Sequence, residues 1–384
     1  MYGLYIHIPF CVRKCLYCDF YSEALETQSI ANRLTSHEQH DNTEFLDALE
    51  VELQRLPSPF TPTTLFMGGG TPTELSDTDF SRLLDMIHQH VDIRQVKEWT
   101  CESNPGTLTQ SKTRIMHQKG INRISLGVQS FDARNLEFLG RIHSAQEAIE
   151  GYHLLRDGGF TNLNLDIIYG IPGSTFKTHF EDAEKIITLD PEHTSFYCLT
   201  FEEGTPLTKL RDKGFVQEVH SEEERDQFEK IRSKFTQAGY KHYEISNYAK
   251  PHYECQHNLI YWSGKEYIGC GPSSHSHWGG VRYSNIPNLK KYCNRLLSDQ
   301  SARHFEECLK PEAKARETLV IGLRRLEGVS RHEFKKQTGF DIDTLCGSHI
   351  EKFCEQGLLQ QTHQKVQLTD EGLFVSDAIF SELI

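Results

Sequence analysis

Three cysteines near the start of the chain, Cys11, Cys15 and Cys18, stand in the spacing CxxxCxxC within the run from His7 to Phe20. Three thiolates on one tight loop bind one face of a metal ion or cluster and leave a position open. A closed structural zinc site takes four ligands, so zinc would have to recruit another from elsewhere, such as Cys101 or His7. Iron–sulfur clusters also normally take four cysteines, and three leave one iron free for an exogenous ligand. The chain carries 11 cysteines, an odd number. Met1 leads directly into Tyr-Gly-Leu-Tyr-Ile with no basic or small-residue leader pattern, so a cytoplasmic setting with reduced thiols is expected.

Further polar residues fall just after short apolar runs. Gly68-Gly69-Gly70-Thr71-Pro72-Thr73 lets a backbone approach a ligand closely and expose N–H donors, and it lacks the Lys and Ser/Thr of a phosphate loop. Glu102 closes the next run in Cys101-Glu-Ser-Asn-Pro105, Gln129 closes Ser125-Leu-Gly-Val-Gln129, Arg141 follows Leu139-Gly140, and Asp166 lies in Asn164-Leu-Asp-Ile-Ile. Tyr5 lies on the run leading into the cysteine loop and Tyr17 between two of its cysteines, and both fit either core packing or stacking on a cofactor.

The elements that must position these residues alternate. Runs at Leu4 to Ile8, Thr63 to Met67, Glu98 to Glu102, Ile121 to Val128, Leu163 to Ile168 and Thr194 to Thr200 read as strands. Helical spacing lies between them, as in Phe80, Leu83, Leu84, Ile87 and Val91, or Ala148, Tyr152 and Leu155. Such βαβ units predict an α/β fold with a parallel sheet buried on both faces, either doubly wound or an incomplete (β/α) barrel. The polar residues above then gather at the carboxyl ends of successive strands, the edge where parallel sheets bind ligands. Residues 24 to 42 have no sustained period and read as a long loop or weakly helical insertion.

From Pro206 the alternation weakens. An acidic helix from Ser221 to Ala238, capped by Ser221, precedes a strand from Tyr240 to Asn247 and a Gly/Ser/His-rich stretch to Gly280. Helices at Ala313 to Leu326, His332 to Gln337 and Ile350 to Gln356, then a hairpin from Leu358 to Leu368, suggest a winged helix. The chain thus divides into 1–205, a connecting region 206–305 and a C-terminal part 306–384. Net charge of -13 argues against nucleic acid as a partner, and residues 311–384 themselves carry nine Lys/Arg against twelve Asp/Glu. Apolar runs are too short for a membrane span, which leaves only peripheral contact with a membrane open.

With its neighbours, the CxxxCxxC loop resembles the radical S-adenosylmethionine (SAM) superfamily. The set HIPFC, GGGTPT, ESNPGT, SLGVQSF, LGR and DIIYGIPG resembles its oxygen-independent coproporphyrinogen III oxidase family over essentially the whole chain. Two departures from the oxidase branch, Phe20 in place of a further cysteine and only ten residues before Cys11, make the haem chaperone branch the nearer likeness. That branch is also marked by HNxxYW, here His257-Asn-Leu-Ile-Tyr-Trp262. The resemblance implies an incomplete (β/α)6 barrel and a [4Fe-4S] cluster on Cys11, Cys15 and Cys18, its open iron chelated by SAM. It also implies SAM contacts from Tyr5, Tyr17, Gly69, Gly70, Thr71, Glu102, Gln129, Arg141 and Asp166, with Glu102 accepting from the ribose hydroxyls.

Haem would be held through His257, with Cys270, His275 and His277 next in line, and partners would be a haem-acceptor protein and an electron donor protein. Because His257 follows the six βα units, its site is expected on a different stretch of chain from the cluster. Oxidative decarboxylation of coproporphyrinogen III and a zinc-stabilised scaffold are the competing readings.

Overall fold

A computed structural model describes residues 1 to 24 and 42 to 384. The expected loop over residues 24 to 42 lies almost wholly outside the described residues. Six strands, β1 (Gly3–Ile8), β2 (Thr64–Gly69), β3 (Glu98–Ser103), β4 (Arg123–Gln129), β5 (Leu163–Tyr169) and β6 (His193–Cys198), lie side by side in chain order. All five pairings between them are parallel. Their near-continuous burial explains why they read as apolar runs rather than alternating ones.

The connecting helices cover the outside with the faces that their periodicity predicts. Asp77–His90, capped by the Ser76 side chain, buries Phe80, Leu83, Leu84 and Ile87. Ala145–Asp157, with a Ser144/Glu147 capping box, buries Ala148, Tyr152 and Leu155.

Strands β1 and β6 do not pair, so the barrel stays incomplete. Beside β6 the sheet continues into β8 (Asn247–Ala249) and β7 (Lys241–Glu244). Beside β1 it runs into β9 (Tyr267–Cys270), β10 (His275–Trp278), β11 (Val281–Asn285) and β12 (Arg303–Glu307), twelve strands in all. Residues 206–305 therefore build onto the barrel sheet and share its core through Ile268, Tyr292 and Leu296. Two local expectations differ from what is found. The acidic helix is Ser221–Gln237 with His220 at its N-cap and no side-chain cap, because Ser221 is already inside the first turn. The single strand expected over Tyr240 to Asn247 is the antiparallel pair β7 and β8, with the chain reversing after Glu244.

The C-terminal part has its own core, with Leu319, Leu323, Ile350, Phe353 and Val366 among its members. Helices Arg331–Thr338 and Ile342–Glu355 precede the hairpin Leu359–Gln361 and Lys365–Leu368, to which Val329–Ser330 adds a third strand. This is the winged-helix-like arrangement. The helix before the hairpin begins well ahead of Ile350 because Asp341 caps it through the Asp343 N–H. Among the described residues, no helix is long and apolar enough to cross a membrane.

Candidate functional site

The cysteine loop leaves β1 at the carboxyl edge of the barrel. It is pinned by backbone hydrogen bonds from Leu16 N–H to the Leu139 carbonyl and from Leu207 N–H to the Leu16 carbonyl, 3.1 and 2.9 Å. Cys11, Cys15 and Cys18 then line one cavity of about 490 Å³ together with Tyr17, Gly69 to Thr71, Glu102, Gln129, Arg141 and Asp166. Residues separated by more than 150 positions in the sequence thus share one chamber, because each lies on, ends or follows a neighbouring parallel strand.

A polar chain joins two of the sulfurs. Cys11 Sγ lies 3.7 Å from Thr71 Oγ1, which accepts from Asn104 Nδ2 at 2.6 Å. Arg141 donates to the Asn104 side-chain oxygen, to the Gly127 carbonyl at 2.6 Å and to Cys15 Sγ at 3.3 Å. The glycines permit this closeness. A Cβ at Gly127 would sit 2.7 Å from Asn104 Oδ1, and one at Gly70 would meet the Ile8 and Phe10 carbonyls at 2.6 Å. Gln129, at φ 67°, closes a register shift in β4 that begins at Gly127 and turns the strand end toward the cavity.

Glu102 accepts from the Gly69 N–H at 3.1 Å. Burial raises its carboxyl to about 7, with the neighbouring Asp166 pushing the same way. Asp166 itself accepts from Ser125 Oγ and Asn164 Nδ2, both at 2.9 Å. Burial also raises the Cys18 thiol to about 12 and lifts that of Cys11. A bound metal or cluster is the kind of charge that offsets such a penalty and turns thiols into thiolates.

Three sulfurs bordering one chamber, beside a glycine-lined wall and the Arg141 guanidinium, fit a cluster with one open iron. They do not fit four-coordinate zinc. The Cys101 side chain is fully buried, with its thiol on the Glu102 carbonyl, and both ring nitrogens of His7 are engaged by Tyr5 and by the Tyr21 carbonyl. Among the described residues no group of three or more metal-ligating side chains is arranged to hold a single metal ion.

A model of the radical SAM superfamily matches residues 5–186, and one of the HemN C-terminal domain matches residues 309–375. The haem chaperone HemW of Bacillus subtilis is 33% identical over 388 residues, covering 100% of this chain and 99% of that protein. The chain belongs to the HemW family. The Escherichia coli HemW is 34% identical, with 98% of this chain and 97% of that one covered. The fold is that of the E. coli coproporphyrinogen III oxidase HemN, a radical SAM enzyme, at a TM-score of 0.83 and 21% identity, covering 99% of this chain and 89% of that one.

Two residues expected at a cofactor do not line this smaller cavity. Tyr5 lines a second, larger cavity of about 760 Å³ that shares Gly69 and Glu102 with the first. His257 lines neither. Its helix, Gln256–Trp262, is held at the amino end of the barrel, where Glu98 accepts from the Gln256 and His257 N–H groups at 3.0 and 2.9 Å. The imidazole is only 1% exposed, with Nδ1 2.8 Å from Thr64 Oγ1 and Nε2 2.8 Å from the Tyr261 hydroxyl. Burial lowers its pKa to about 3.

The segment follows the six βα units in the chain, and its helix packs onto β2 and β3. Both ring nitrogens of His257 are thus engaged within the fold. Cys270 is buried and borders neither cavity, whereas His275 and His277 border the larger one. Asn104 is the site residue that the sequence reading passed over. Its only signal there is its place two residues after Glu102.

Proposed function

We propose that this chain is a haem chaperone, holding a [4Fe-4S] cluster, SAM and haem and handing the haem to an acceptor protein in the cytoplasm. The full-length likeness to HemW proteins of two bacteria is the observation that carries the reading. Cys11, Cys15 and Cys18 hold the cluster, and SAM fills the smaller cavity with the Gly68 to Thr71 loop at its methionyl end and Glu102 at its ribose. When bound, the cluster supplies electron transfer to SAM, fed by an electron donor protein. Arg141 orients Cys15, and Asp166 and Gln129 line the wall that SAM would lean on.

Coproporphyrinogen III oxidation is the second reading, favoured by the shared fold with HemN. One experiment separates the two. Protein reconstituted anaerobically is incubated with coproporphyrinogen III, SAM and a reductant, and in parallel with haem and an apo-haemoprotein. Stable haem uptake, transfer to the apoprotein and no protoporphyrinogen are expected. Protoporphyrinogen formation without haem transfer would give the site to the oxidase reading.

A further inference from the structure

Register sets polar side chains in rows across the inside of the barrel. Ser125 on β4 pairs with Asn164 on β5, which pairs with His193 on β6, and the next row toward the carboxyl edge pairs Asp166 with Ser195. Opposed residues on neighbouring strands share a face of the sheet, as do residues two apart on one strand, so all five side chains point the same way. Ser125, Asn164, His193 and Ser195 are buried, and of the five only Ser125 and Asp166 border the smaller cavity. Tyr243, buried on β7, reaches His193 from the other side.

A carboxylate only accepts, so Asp166 fixes the direction of every hydrogen bond behind it. It accepts from Ser125 Oγ and from Asn164 Nδ2, both at 2.9 Å, and Asn164 Nδ2 also donates to Ser125 Oγ at 2.7 Å. With its nitrogen turned to Asp166, the Asn164 amide turns its oxygen to His193, whose Nδ1 lies 2.6 Å away and therefore carries the proton. Burial, and next the Arg123 guanidinium, push the His193 pKa well below the ordinary histidine value. The ring is thus neutral, and its Nε2 accepts from the Tyr243 hydroxyl at 2.8 Å. The Tyr243 oxygen in turn accepts from the Cys255 N–H, and Ser195 Oγ donates to the Asn164 oxygen, both at 3.2 Å. Each of these donors points toward the carboxylate, and hydrogen bonds aligned in one sense strengthen one another away from water. Packing alone asks for no asparagine or histidine here, where an apolar side chain would fill the same space.

Resting on the proposal above that SAM leans on Asp166, we infer that Asn164 and His193 are positioning residues for SAM. Neither borders the chamber. Asn164 holds the Asp166 carboxylate in one orientation, and His193, anchored by Tyr243, keeps the Asn164 amide from turning its oxygen to that carboxylate. The run starts at Cys255, the N-cap of helix Gln256–Trp262, so the barrel floor and the SAM chamber are the two ends of one hydrogen-bonded row.

The test is a calorimetric titration of SAM into the full-length protein after anaerobic reconstitution, with iron content and thermal melting as controls for folding. Asp166→Ala should weaken SAM about tenfold or more, the size of a lost hydrogen bond to a charged group. Asn164→Leu removes the amide at similar volume and should weaken SAM by a similar factor. Asn164→Asp, which keeps the shape but turns the donor facing Asp166 into an acceptor, should do the same and decides where the leucine variant does not fold. His193→Leu, which frees the amide to turn, should cost about three- to tenfold. A residue that serves only stability adds its loss to any other, whereas one acting through Asp166 has nothing further to lose once that carboxylate is gone. In the Asp166→Ala background, Asn164→Leu and His193→Leu should therefore change SAM affinity by less than about twofold. Wild-type affinity in the folded Asn164 variants, or a deficit that persists undiminished in the Asp166→Ala background, overturns the inference. If Asp166→Ala alone binds SAM as wild type does, Asp166 leaves the SAM wall and neither residue positions SAM.

Discussion

The Arg141 guanidinium donates to the sulfur of Cys15 at 3.3 Å, and through Asn104 and Thr71 the same guanidinium is linked to the sulfur of Cys11. A residue after β4 thereby steadies a loop that follows β1.

The three cysteines have no spare among themselves. Cys15→Ala should therefore retain far less than a full complement of iron after anaerobic reconstitution, with weakened visible absorption. Four irons per chain with an unchanged spectrum would place the ligands elsewhere.

Asn104→Ala strips a partner from both Thr71 and Arg141 while leaving every cysteine in place. Unpaired buried polar groups cost roughly 1–3 kcal/mol each, so the thermal midpoint should fall and SAM should bind about ten- to a hundredfold more weakly. Iron content should stay near that of the parent protein. Isothermal titration beside iron analysis reads both, and unaltered SAM affinity would reduce Asn104 to a purely structural role.

Glu102 sits near neutrality, about 7, because burial and Asp166 oppose its charge. A ribose diol donates two hydrogen bonds and prefers the ionised acceptor. SAM affinity should accordingly rise between pH 6 and pH 8 and level off above. Glu102→Gln should flatten that profile, and Glu102→Ala should lose roughly 1.5–3 kcal/mol of binding, about ten- to a hundredfold. A dissociation constant indifferent to both changes would remove Glu102 from the ribose.

For His257 the sign runs the other way. Burial holds its folded pKa at about 3, below the unfolded value of 6.5, so its neutral form is favoured by folding. Stability from this residue is complete above pH 6.5 and is lost as pH falls toward 3, by about 1.4 kcal/mol per unit. His257→Gln should be less stable at pH 7.5, having lost contacts to Thr64 and Tyr261. It should nonetheless lose about 2 kcal/mol less than wild type between pH 6.5 and 5. Denaturant melts at three pH values would show parallel losses if the histidine were protonated in the fold.

The six barrel strands are legible in the sequence because parallel strands buried on both faces read as uninterrupted apolar runs, and every polar residue just beyond one belongs to the same rim. Side-chain direction at that rim is not legible. Asn104 meets Arg141 and Thr71 only because β2, β3 and β4 are neighbours, a fact of pairing rather than of spacing. His257 is the reverse case. Beside Tyr261 and Trp262 it reads as a ligand, yet Glu98 and Thr64, both more than 150 residues earlier, fix its helix and its ring to the barrel floor. The hairpin β7 and β8 reads as one strand because the turn after Glu244, through Ile245 and Ser246, carries neither glycine nor proline.

Gly69 and Glu102 border both cavities. With Asp19 and Phe20 they form a thin partition that makes the chambers thermodynamic neighbours: whatever fills one changes the carboxylate and backbone that the other occupant touches. Linkage then demands symmetry, so a molecule that tightens or loosens SAM on one side of Glu102 is itself tightened or loosened by SAM by the same factor.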